Sequence, residues 1–181
     1  MSIAHLEARR SFTSPADVDW FWGLIEASRG PDEPKQLELL ADSLLSLDDR
    51  DLVDFIALFD GVMSAMNSAR LRAAAYLMNG GCSDDGFVDF RYWLISRGRA
   101  VATLGMTDPD ALARFEVEIE TASFEWFGAV MRDEYAARSG GVDAPRVGDL
   151  PSAERDSERP FDHDEPEMRR RLPQLAARYL G

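Results

Sequence analysis

Apolar side chains recur three and four positions apart over most of residues 14–138, the spacing that gathers them on one face of a helix. Ser14 precedes Pro15 and stands three residues before Asp17, so a hydroxyl cap, a proline in the first turn and an early carboxylate agree on a helix start. Val18, Phe21, Trp22 and Ile25 form the apolar face of that helix, and Gly30 and Pro31 should end it. A second helix is predicted from about Pro34, with Leu37, Leu40, Ala41 and Leu44 buried. The third is predicted to be capped by Ser46 and carries Asp48, Asp49 and Asp51 in its first turn. Its stripe of Leu52, Phe55, Ile56, Phe59, Val62, Met63 and Met66 is the most regular in the chain.

Helix continues by the same criteria through Ala69 to Met78, where Ala73, Ala74 and Ala75 suggest close neighbours, and Asn79, Gly80 and Gly81 stop it. Another helix is predicted from about Asp84 to Gly98. A long one is expected from Asp108 to roughly Arg138, with Leu112, Phe115, Ile119, Ala122, Trp126, Val130 and Tyr135 as its stripe. No run alternates with period two and β-branched enrichment, so the expected fold is all-α. Residues 139–165 turn to Gly, Pro, Ser and charge and read as a long polar loop. Residues 166–181 regain a helical pattern, with Met168, Leu172, Leu175 and Tyr179 apolar and Pro173 kinking or dividing it. The whole reads as a single domain of about seven helices with a docked C-terminal segment.

The 181 residues suit one domain, and no apolar run approaches the roughly 20 residues that cross a bilayer. The N-terminal stretch has no apolar core of a secretory signal, which places the expected protein in the cytoplasm. Cys82 is the one cysteine, which removes disulfide frameworks and multi-thiolate zinc sites. With 33 acidic residues against 20 basic ones the net charge is −13, so nucleic acid and anionic membranes are not expected partners. Many of the acids, Asp17, Asp48, Asp49, Asp84, Asp85 and Asp110 among them, stand at predicted helix starts, where the dipole favours them.

Chemistry concentrates between Ala75 and Phe87, where three glycines, a thiol, a hydroxyl and two carboxylates lie between two helices. Capping explains much of it: Gly80 or Gly81 in the left-handed conformation, Ser83 as the next N-cap, and Asp84 and Asp85 in the first turn. Gly86 in that turn costs about 1 kcal/mol relative to Ala and asks for a close approach to the backbone. Asp85 and Asp89 share a face, and with Asp84 they could hold a divalent cation or serve as acid and base; pairing with Arg91 and Arg97 is the alternative. Cys82 lies where free N–H groups could lower a thiol pKa, but no histidine is near it in sequence. Asp162, His163, Asp164 and Glu165 read as a solvated acidic loop rather than a metal site. Trp20 and Phe124 fall off their main faces and could line a groove.

The run from Ala74 to Phe87, followed by Phe90 to Arg99, resembles the signature of the bacterial family called domain of unknown function 4240. The resemblance extends to Asp19-Trp20-Phe21-Trp22, to Thr107-Asp108-Pro109-Asp110 and to the Phe161-Asp162 and Leu172-Pro173-Gln174-Leu175 tail. It implies a predominantly helical domain and carries no assigned activity. Where the family pattern tends to read Trp-Asp-Leu-Trp, this chain has Ala69-Arg70-Leu71-Arg72, so two guanidinium groups are expected to bind an anionic group or, preferably, to pair with Asp84 and Asp85.

The candidate ligand-binding set is therefore Cys82, Ser83, Asp84, Asp85, Arg70, Arg72 and Trp93. The expected role is a non-catalytic binding or accessory protein for a peptide, a protein partner or a small molecule. The alternatives are an enzyme using Asp84, Asp85 and Arg91, with a divalent cation allowed, and an acidic protein that neutralises a basic partner. No cofactor is named by any motif.

Overall fold

The computed structural model describes residues 3–115, 117–118, 121–144 and 160–181. All regular structure among them is helical: α1 Pro15–Ala27, α2 Glu33–Leu45, α3 Asp49–Ala65, α4 Ala69–Asn79, α5 Asp84–Ser96, α6 Arg99–Thr107, α7 Ala129–Ser139, α8 Glu165–Arg171 and α9 Pro173–Tyr179. Short 3₁₀ turns cover Ile3–His5, Pro109–Arg114 and Glu125–Gly128. No single helix is long and apolar enough to cross a membrane. The chain divides into two compact units, Met1–Ser64 with Glu125–Leu150 and Ala65–Phe124 with Pro151–Gly181.

Unit one is built on α1, α2, α3 and α7. The Ser14 hydroxyl accepts the Asp17 N–H and Asp32 accepts that of Lys35, so both helices open on short polar side chains. At α3 the cap is Asp48, whose carboxylate accepts the Asp51 N–H at 2.8 Å. The expected Ser46 cap is displaced because that hydroxyl donates to the Ser43 carbonyl at the end of α2. Packing is aromatic at the centre: Phe21 lies 5.2 Å from Phe55, and Phe59 lies 6.3 Å from both Phe55 and Phe127. Every residue from Leu52 to Phe59 is buried, well beyond one helical face. Arg138 of α7 donates to the carbonyls of Leu44, Leu45 and Leu47 and pairs with Asp49, covering the C-terminus of α2 with a cation.

The buried exception in α3 is Asp54, which is fully inaccessible. A buried carboxylate is costly unless hydrogen-bonded and paired. Its oxygens accept four bonds from the N-terminal arm: the backbone N–H groups of Arg9 and Arg10 and, at 3.1 and 2.8 Å, Nε and Nη2 of Arg9. Asp51 takes a further bond from each guanidinium, so the arm is clamped along α3.

Unit two gathers α4, α5, α6, α8, α9 and the Pro109–Arg114 turn. Ser68 caps α4, so the predicted continuation from the third helix is interrupted and restarted there. Gly105 of α6 packs where a Cβ would meet Leu94 at 2.9 Å, which explains a glycine inside that helix. α6 itself was not anticipated; the predicted helix to Gly98 ends at Ser96, and Gly98, at φ 90°, turns the chain into α6.

The predicted long helix from Asp108 to Arg138 does not form. The chain makes a 3₁₀ turn over Pro109–Arg114, is not helical at the described residues 115, 117–118 and 121–124, makes a second 3₁₀ turn over Glu125–Gly128, and is α-helical from Ala129. Across the break, backbone groups find distant partners: the Ala122 N–H donates to Asn79 Oδ1, and the Phe124 N–H donates to the Asp89 carbonyl. Of the predicted stripe, Leu112, Ala122 and Tyr135 are buried, while Trp126 is 63% exposed and Ile119 lies outside the described residues. So do residues 145–159 of the predicted polar loop. At the C-terminus, Pro173 divides the pattern into α8 and α9 as its missing N–H predicts.

Docking of α9 depends on another buried carboxylate. Leu172, at the N-cap position of α9, has no side-chain cap, and Asp110, 4% exposed, accepts the backbone N–H groups of Gln174 and Leu175, 64 and 65 residues further along the chain.

Two substitutions separate these clamps. Asp54→Ala should destabilise the protein by about 1–3 kcal/mol and strip exchange protection from the Arg9 and Arg10 amides. Asp110→Ala should cost roughly 1–2 kcal/mol and expose the Gln174 and Leu175 amides, leaving those of the arm protected. Urea titration with residue-resolved hydrogen exchange checks both.

Candidate functional site

The motif between α4 and α5 lies wholly within unit two. Gly80 takes φ 67° and its N–H and that of Gly81 both donate to the Tyr76 carbonyl, which closes α4. Ser83 caps α5 through the Gly86 N–H at 3.0 Å. A Cβ on Gly86 would lie 3.2 Å from that same hydroxyl, so the close approach that the glycine accommodates is its own cap.

Both carboxylates stand in the first turn of α5. Asp84 is engaged by Nη2 of Arg72, the second residue of the altered Arg70–Arg72 segment. Arg72 also reaches Asp162 at 3.2 Å, so one guanidinium joins α4, α5 and the C-terminal segment. Arg72 thus pairs with one acid of the motif, and on α5 Arg91 lies 4.6 Å over the Phe87 ring and Arg97 5.3 Å over the Trp93 ring. Asp85 is exposed and apart from this network. Arg70 turns the other way, to Asp108 at 3.7 Å and the Arg171 carbonyl at 3.3 Å.

The remaining candidates spread further. Trp93 is 3% exposed, stacked 5.8 Å from Phe90, and its indole N–H has no hydrogen-bond partner among the described residues. Phe124 is also buried, which removes it from any groove, and Trp20 is half-covered beneath the Arg10 guanidinium at 4.1 Å. Asp162 is not solvated: it is 6% exposed and salt-bridged, whereas His163 is exposed and edge-on to Tyr76 at 5.2 Å. Asp164 caps α8 through the Glu167 N–H. No group of three or more metal-ligating side chains converges among the described residues.

Cys82 is half-buried beside this network, and burial is the main influence on its thiol, pushing the pKa up; Arg72 and Arg91 pull it down, and Asp162 and Asp84 push it up. Burial likewise lowers the pKa of Arg91. The turn therefore brings together a thiol whose pKa burial raises, a carboxylate held by an arginine, and a guanidinium over an aromatic ring.

A concave site lies instead in unit one, and the periodicity of the chain gave no sign of it. Leu6, Glu7 and Ala8 of the N-terminal arm, Val53, Ile56 and Ala57 of α3, and Tyr135 of α7 line an apolar cleft of about 260 Å³. Of the cleft residues on α3, only Ile56 belongs to the stripe that the sequence predicts. What it lacks is the Asp54 clamp, which lays Leu6 and Ala8 alongside them.

These observations define an all-α protein whose most concentrated motif is a capped and ion-paired helix junction. The chain belongs to the DUF4240 family, described as protein of unknown function, whose model matches residues 17–137. It matches no curated protein and no solved structure.

The state of the thiol is directly measurable. Alkylation of Cys82 in the folded protein should reach half its maximal rate at a pH above that of a free cysteine, about 8.5. A midpoint at or below that value would reveal an activated thiolate and restore a catalytic reading of the turn.

Proposed function

We propose that the protein is a cytoplasmic, non-catalytic binding or accessory protein whose ligand seats an apolar group in the cleft of unit one. The observation that carries this reading is the cleft itself: concave, almost wholly apolar, and lined by three separate segments of the chain. Its size supports a small occupant, since a cavity of about 150 Å³ already accepts benzene. One ring with a short tether, or one large apolar side chain, would fill it.

The condition of the motif acids supports binding over catalysis. Asp84 is ion-paired with Arg72 and Asp85 is exposed, so neither carboxylate has the buried setting that tunes a catalytic acid or base. Several acids serve as helix caps or arginine partners, Asp32, Asp48, Asp54, Asp60 and Glu134 among them, which supports a structural use of these charges.

Phenylbutanol should raise the melting temperature of the full chain in proportion to its occupancy. Ala8→Trp, which fills the cleft from the exposed arm, should abolish that shift, and Asp85→Ala should leave it intact. A shift that survives Ala8→Trp, or one that vanishes in Asp85→Ala, would remove the cleft as the binding site.

A further inference from the structure

The cleft is not closed at the arm. Leu6, one of its walls, also borders an open depression floored by Asp48, Asp49 and Arg50 at the start of α3. The cleft and this charged depression thus adjoin at Leu6.

The sign of that mouth follows from how the neighbouring charges are paired. Arg9 and Arg10 are engaged by Asp51, Asp54 and Asp17. Arg138 is engaged by Glu134 and Asp49, and Asp49 keeps 47% of its side chain exposed. Glu7 on the cleft wall and Asp48 on the depression then stand against Arg50. Hydrogen bonding from the Asp51 N–H lowers the Asp48 pKa, so this carboxylate is ionised throughout the neutral range. The positive end of the α3 dipole offsets part of the negative charge but falls off within the first turn.

Resting on the binding reading above, we infer that the ligand is a small amphipathic cation, with an apolar ring or branched chain in the cleft and an ammonium group at the mouth beside Asp48 and Glu7. Three apolar segments supply the seat and the acidic rim supplies the sign. A carboxylate-bearing ligand of the same shape would meet repulsion at both rim acids. A neutral one would gain the apolar contacts alone.

The test compares phenylbutylamine, phenylbutanol and phenylbutyrate by calorimetric titration into the full chain. The amine should bind about fivefold more tightly than the alcohol at low salt, the scale of an exposed ion pair, and the carboxylate most weakly. Raising the salt to about 0.5 M should bring amine and alcohol together. Asp48→Asn keeps a competent cap and, combined with Glu7→Gln, should erase the preference for amine over alcohol, both being measured on that variant. Equal binding of all three probes, or tightest binding of the carboxylate, would overturn the cationic ligand and leave the cleft in place. Failure of every probe to bind would overturn the cleft as well.

Discussion

A carboxylate with no access to water must find its hydrogen bonds inside the protein, and much of unit one follows from how Asp54 does so. The residue sits in the middle of α3 among Val53, Phe55, Ile56 and Phe59, where an unpaired charge would be prohibitive. Its partners come from the arm: two backbone N–H groups and one guanidinium. That requirement holds a stretch of chain before α1 against the helix. Leu6 and Ala8, just upstream of the bonded residues, thereby become one wall of the apolar cleft. A buried charge in α3 thus shapes an apolar concavity.

Unit two uses the same device at the other end of the chain. α9 has no side chain of its own at the capping position, and the buried carboxylate of Asp110 supplies the acceptor. Further bonds secure the segment: Arg178 donates to the Ala113 carbonyl and the Tyr179 hydroxyl to that of Val117. Arg72 ties the preceding residues to α4 and α5 through Asp162 and Asp84. Asp84 of the motif is accordingly occupied in holding helices together. Its glycines serve the same end, Gly80 ending α4 and Gly86 leaving room for the Ser83 cap.

Local reading succeeded wherever a signal acts within one turn of helix. Ser14, Gly80 and Ser83 perform the capping roles that their spacing predicts, because each completes a hydrogen bond three or four residues away. It failed between Asp108 and Arg138, where helical periodicity is present but the backbone of the middle section bonds instead to Asn79 and Asp89. Arg72 illustrates the boundary between the two. Pairing with an acid of the motif was legible from charge alone, while the second partner, Asp162, lies ninety positions away.

Sequence by itself determined the all-α class, the limits of several helices and the caps on either side of the glycine-rich turn, since propensity, caps and apolar spacing are short-range properties. Tertiary structure alone decided which carboxylates are buried, which segments they hold, and where a concave apolar surface opens. The physical reason is that Asp54 and Asp110 are ordinary acids until the fold removes them from water. Only then do their distant hydrogen-bond donors become obligatory, and only then does the arm take the position that forms the cleft.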